Sequence, residues 1–141
     1  MKILVVAEQR ENKLKKQTFE AIRAARTIAD QTGGSVTALV IGSSIQTIAG
    51  ECGSYGAHRV VVVEDAKLQH YSTTAYAKAI AEVAKTEQVH AVFLSATSMG
   101  KDLAPRVAVK LDAGLAADIV ALKVEGGDII ATRPVYAGKI L

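Results

Sequence analysis

The chain has 141 residues, half of them hydrophobic and 22% charged, with one Cys, no Trp and 4% aromatics. That profile fits one domain with a real core and excludes a disordered chain, a disulfide scaffold and a membrane span, which would need ~18 consecutive apolar residues. The net charge of +3 is spread along the chain without a basic block, so nucleic acid is not an expected partner.

Four apolar runs have the length of buried strands: Lys2–Ala7, Ser35–Ile41, Arg59–Val63 and His90–Ser95. They are rich in Val, Ile and Leu and do not alternate with polar residues, as expected of parallel strands covered on both faces. Helical patterns separate them. Thr18–Gln31 places Phe19, Ile22, Ala25, Ile28 and Ala29 on one stripe, and Gly33-Gly34 stops it. Ser44–Gly53 reads as a weaker helix. Thr73–Lys85 aligns Tyr76, Ala79, Ile80 and Val83 with a Thr as N-cap, and Leu103–Leu111 carries Pro105 in its first turn.

After Gly114 the pattern changes. Ala117–Val124 and Asp128–Arg133 read as two strands joined by a turn at Gly126-Gly127. The expected fold is α/β: a doubly wound, mainly parallel sheet with right-handed crossovers and an antiparallel hairpin near the C-terminus, all in one domain over residues 1–141. The chain ends on Ile140-Leu141, inside an apparent strand, and so reads as a fragment of a longer protein.

Nucleotide motifs fail one by one. Gly100-Lys101 opens a helix after a strand, but Ser95 stands where a Walker loop needs Gly, and Asp102 where it needs Ser or Thr. Gly50, Gly53 and Gly56 follow a helix rather than a strand, so a helix stop is the simpler reading. Glu8-Gln9-Arg10 is bulky where nucleotide-binding sheets keep small residues. The stretch 96–102 lies at a strand's carboxyl end, where such sheets meet ligands or partners; the alternative is a helix-capping turn with Asp102 near the positive helix end. Gln9–Lys16 is expected to be a solvated charged loop, with contact to an acidic partner as the alternative.

Catalytic equipment is thin. His58, His70 and His90 lack metal-ligand spacing, and Cys52 reads as a small structural residue. No catalytic and no metal-binding residues are expected.

Three segments carry a family resemblance. The opening KILVVAEQRENKLKKQTFEAIRAAR has a strand ending in an acid (Glu8), a charged loop with Leu14, and a helix led by Thr18-x-Glu20. The second is a small-residue turn followed by Gly100-Lys101-Asp102 and Leu103-x-Pro105-Arg106-x-Ala108. The third is Gly114-Leu115 and Asp118, then Arg133-Pro134-Val135-Tyr136-Ala137-Gly138. In that order they resemble the electron transfer flavoprotein alpha subunit, in its amino-terminal domain; Lys139 departs from the family's usual Asn.

The resemblance implies a nucleotide-binding-like fold (adenine nucleotide alpha hydrolase-like) that serves as scaffold against a beta subunit. It implies FAD in the full-length protein, held mainly by a second domain, and none on this chain alone. It further implies a soluble heterodimer that takes electrons from dehydrogenases, such as the acyl-CoA dehydrogenases of fatty acid oxidation, and passes them to a quinone-linked acceptor. In that scheme the protein holds and tunes the flavin, and a catalytic constellation is not needed. Contacts to the partner are expected from Thr97, Ser98, Gly100, Lys101, Arg106, Arg133, Tyr136 and Lys139. Arg106 and Arg133 suit carboxylates of the partner or of this domain. The competing reading is a free-standing adenine-nucleotide-binding module of the universal-stress type.

Overall fold

The computed structural model describes residues 1–115, 121–126 and 128–132. Strand β1 (Lys2–Ala7) runs into a small hairpin of β2 (Gln9–Arg10) and β3 (Lys13–Leu14), followed by α1 (Lys16–Thr32), β4 (Ser35–Gly42), α2 (Gln46–Ser54) and β5 (Arg59–Glu64). A 3₁₀ turn at Ala66–Leu68 leads to α3 (Thr73–Glu87), β6 (Ala91–Phe93) and α4 (Ser98–Leu111). Strands β7 (Ala121–Glu125) and β8 (Asp128–Thr132) close the series.

The main sheet has the order β5-β4-β1-β6, with every pairing parallel. Successive residues of each central strand point to opposite faces, and both faces are covered. Ile3, Val5, Val36, Ala38 and Val40 pack with Ile22, Ala25 and Ala29 of α1 and with α2. Leu4, Val6, Leu39 and Ile41 pack with Tyr76, Ala77 and Ile80 of α3 and with Leu103 and Val107 of α4. This two-sided burial explains why the strands read as unbroken apolar runs. Fully burying each such Leu, Ile or Val contributes about 1.5–3 kcal/mol.

The expected strands and helices are all present, with shifted ends. Helix α1 stops where anticipated: Gly33 takes φ +65° and donates its N–H to the Ala29 carbonyl. A side chain on Gly34 would collide with the Met1 carbonyl, 1.8 Å from the Cβ position, so Gly is required there too. Strand β6 is shorter than expected, ending at Phe93, and His90 just before it is tied to the start of β1. The His90 ring Nδ1 accepts the Lys2 N–H at 3.0 Å while the His90 backbone N–H donates to the Lys2 carbonyl.

Three local expectations are corrected. The cap of α3 is Ser72, whose hydroxyl accepts from the Ala75 N–H, whereas Thr73 turns its hydroxyl to Asp102. Helix α4 begins at Ser98, so Pro105 lies about two turns inside it and not in its first turn. The Lys101 carbonyl therefore has no N–H from residue 105 to accept, and the early start depends on the Thr97 cap. The 96–102 stretch is the helix-capping turn of the alternative reading, with Thr97 as the cap. The Gln9–Lys16 segment is solvated as expected, with residues 10–13 exposed, but it is not an irregular loop: Glu11 and Asn12, at φ +52° and +61°, turn it into a tight antiparallel hairpin.

Near the C-terminus, Ala121–Glu125 and Asp128–Thr132 pair antiparallel as expected, turning at Gly126 with φ +59°. The two strands pair with each other rather than extending the parallel sheet, and Leu122, Val124 and Ile129 rest on the α1 side of the core. Residues 117–120 and 133 of the expected strands, and Gly127 of the expected turn, lie outside the described residues.

Candidate functional site

The chain runs outward from β1 to β4 and β5, then returns to place β6 on the other side of β1. The crevice between the carboxyl ends of β1 and β6 is the topological switch point, where doubly wound sheets take their ligands. Glu8 follows β1 and Thr97 follows β6, so both stand at this crevice.

They close it. Thr97 Oγ1 donates to Glu8 Oε1 at 2.8 Å and, as N-cap of α4, accepts the Gly100 N–H at 3.1 Å. Glu8 is only 6% exposed. Its carbonyl accepts from Thr18 Oγ1 at 2.9 Å and from the Lys15 N–H at 3.0 Å, so the start of α1 is tied to the same residue. Its second carboxylate oxygen has no hydrogen-bond donor among the described residues, and Lys15 Nζ stands 4.0 Å from it. A buried charge survives when it is paired and hydrogen-bonded, and here the hydroxyl and the ammonium share that task.

What remains of the crevice is a cavity of about 10 Å³, lined by Val6, Glu8, Leu94, Ser95, Thr97 and Gly100 among others. The neighbouring position, between β1 and β4, is covered by Gln9. Its side-chain amide donates to the Ile41 carbonyl at 3.2 Å and lies where a Cβ on Gly42 would stand. A flavin or an adenine does not fit this edge. Bulk at Glu8-Gln9, read from the sequence as unfavourable to an adenine pocket, is the feature that fills it.

A broad groove of about 1320 Å³ runs along the outer edge of β6 between α1 and α4, with Phe93 and Ala104 in its walls. Leu115 and Leu122 also line it, and the residues joining them, 116–120, lie outside the described set. Its described walls mix apolar residues with polar ones such as Glu20, Lys85, His90 and Lys101.

The expected interface residues fall into three groups. Gly100 is buried, and a Cβ there would stand 1.8 Å from the Ser95 carbonyl. The backbone that approaches this glycine belongs to the chain itself. Thr97 is likewise engaged internally. Ser98, Lys101 and Arg106 are exposed on α4, and Arg106 makes no ion pair among the described residues. Arg133, Tyr136 and Lys139 lie outside the described residues.

Around α4, Asp102 accepts hydroxyl hydrogen bonds from Thr73 and, at 2.6 Å, from Tyr71. These bonds, with Arg106 nearby, hold its carboxyl below the usual carboxylate range. The group pins the loop before α3 to α4. Cys52 is fully buried, and burial first, then Glu51, pushes its thiol up to about 11, which suits a structural residue. Among the described residues no three His, Cys, Asp or Glu side chains are placed to hold a metal, and no helix is long and apolar enough to cross a membrane. Sequence reasoning missed the pairing of Glu8 with Thr97; the signal available was an acid directly after a wholly apolar strand.

Residues 3–141 match the model of the electron transfer flavoprotein domain. The electron transfer flavoprotein subunit alpha of Megasphaera elsdenii is 43% identical over 141 residues, and that of Bacillus subtilis is 41% identical over 138 residues. A protein named FixB from Clostridium saccharobutylicum is 40% identical over 141 residues. Each alignment covers 98–99% of this chain and 42% of the relative, so the chain spans about two fifths of the proteins it matches. The family is one of electron carriers rather than enzymes, and on this match the chain belongs to the electron transfer flavoprotein domain family.

Proposed function

We propose that this chain is the amino-terminal scaffold domain of an electron transfer flavoprotein alpha subunit. In this reading it pairs with a beta subunit, and FAD is held mainly by a second domain of the full-length protein. The assembly works in the cytoplasm, taking electrons from dehydrogenases such as those acting on acyl-CoA and passing them to a quinone-linked acceptor. The contact residues on this chain are Ser98, Lys101 and Arg106 on the exposed side of α4, together with Arg133, Tyr136 and Lys139. Thr97 and Gly100 set the shape of that surface from beneath.

The observation that carries this reading over a nucleotide-binding module is the Glu8–Thr97 hydrogen bond. It fills the ligand position of the sheet with the chain's own carboxylate. An anionic side chain at that position repels a phosphate, and the 10 Å³ left beside it admits no base or ribose. The fold is then free to act as a rigid support.

Calorimetry of the purified chain with AMP, ATP and FAD tests the point. No saturable heat and a colourless preparation are expected. Tight binding of AMP or ATP would return the chain to the universal-stress type of module.

A further inference from the structure

Glu8 occupies a position with the properties of an anion site. It stands at the switch point, beside the amino end of a 14-residue helix, where N–H groups and the helix dipole favour negative charge. The charge placed there is intramolecular and almost wholly buried. One carboxylate oxygen is fixed by Thr97, and Thr97 in turn holds the Gly100 N–H of the first turn. The other oxygen takes no hydrogen bond among the described residues, and Glu8 lines the same small cavity as Ser95, whose buried hydroxyl is also without a partner. The Lys15 ammonium, 4.0 Å from that oxygen, supplies the nearest positive charge.

We propose that Glu8 is a built-in anion, and that its carboxylate fills a latent oxyanion site formed by Thr97, Ser95, Lys15 and the amino end of α4. Removing the side chain beyond Cβ joins its volume to the existing cavity. The exposed lining then offers two hydroxyls and a helix terminus, with no remaining carboxylate among the cavity-lining residues. The Lys15 ammonium lies outside that lining, 4.0 Å from the position of the removed carboxylate oxygen. The ligand class is a small oxyanion of carboxylate size. The inference stands apart from the pairing with a beta subunit, because it concerns only this chain's own crevice.

The test is chemical rescue of Glu8→Ala by sodium formate, followed by thermal unfolding. The variant is expected to melt roughly 5 °C or more below the parent chain. Formate is expected to raise its melting temperature along a saturating curve. Sodium chloride at equal ionic strength does not reproduce that curve, and the parent chain, whose site is filled, shows no saturating response. Glu8→Gln, which keeps the space filled, is expected to show none either.

Should Glu8→Ala not fold, Glu8→Ser repeats the titration with a hydroxyl left to meet Thr97. A folded Ala or Ser variant that responds alike to formate and chloride overturns the proposal. So does a parent chain that saturates with formate, or a pair of variants that stay unfolded at all formate concentrations.

Discussion

Thr97 and Glu8, 89 residues apart in the chain, share a 2.8 Å hydrogen bond that locks the carboxyl ends of β1 and β6 together. The same Thr97 hydroxyl caps α4. Thr97→Val keeps the shape and removes both roles. An N-cap is worth about 1 kcal/mol and a hydrogen bond to a charged group about 1.5–3 kcal/mol, so a loss of about 2–3 kcal/mol is expected in denaturant unfolding. Thr97→Ser should recover most of it. A double-mutant cycle with Glu8→Gln should give a coupling of about 1 kcal/mol or more; additive losses would mean the bond contributes little.

Gly100 and Gly50 make a matched pair of opposite sign. Both lie in helices, but a Cβ at Gly100 meets the Ser95 carbonyl at 1.8 Å, whereas Gly50 has nothing within 4 Å. Gly100→Ala must push the α4 turn off the end of β6 and is expected to lose more than about 3 kcal/mol. Gly50→Ala is expected to gain about 0.5–1 kcal/mol by restricting the unfolded chain. Urea unfolding of both variants checks the pair.

Two histidines do the same job at the amino ends of two strands. His58 Nδ1 accepts the Val36 N–H at 3.0 Å, as His90 Nδ1 accepts that of Lys2. Each ring nitrogen thus satisfies a strand N–H that would otherwise lack an acceptor. Amide exchange at Val36 is expected to be slowed by this bond. His58→Asn, whose side-chain oxygen can take the Nδ1 role, should retain protection, and His58→Leu should lose it.

Asp102 sets an acid response. The Thr73 bond first, then the Tyr71 bond, with a lesser help from the Arg106 charge, hold its folded-state carboxyl below its unfolded range against an opposing desolvation. The sign follows: its contribution is complete above the unfolded value and is lost as pH falls through the folded one, below about pH 4. Removing both hydroxyls with Thr73→Val and Tyr71→Phe is expected to raise the Asp102 titration seen by NMR. An unchanged titration would show that the bonds do not form in solution.

Cys52 offers a check on the core. Its thiol is fully buried and pushed up to about 11, so it should not react with a thiol reagent at neutral pH while the chain is folded. Reaction is expected to track unfolding in denaturant. Fast labelling of the native chain would place Cys52 outside the core.

The sheet was legible because its strands carry Val, Ile and Leu on both faces, a pattern that burial on two sides produces and solvent exposure does not. Helix stops were legible where one residue decides them, as Gly33 does. The start of α4 was not, because Pro105 suggested a first turn while Thr97, eight residues earlier, supplies the cap. The Gln9–Lys16 hairpin was hidden for a similar reason: its charge reads as solvent exposure, whereas its fold rests on two left-handed backbone positions. The Glu8–Thr97 closure joins strands distant in sequence, so no local pattern announces it. The interface residues proposed on α4 were chosen by position at a strand's carboxyl end. Which of them remain exposed depended on the internal engagements of Thr97 and Gly100.

The most direct measurement is co-elution of this chain, carrying an affinity tag, with an electron transfer flavoprotein beta subunit expressed in the same cells. The scaffold account predicts a colourless equimolar complex that survives size exclusion, and one that Lys101→Glu with Arg106→Glu weakens while the variant chain stays folded. A folded chain that elutes alone in the presence of the beta subunit would contradict it.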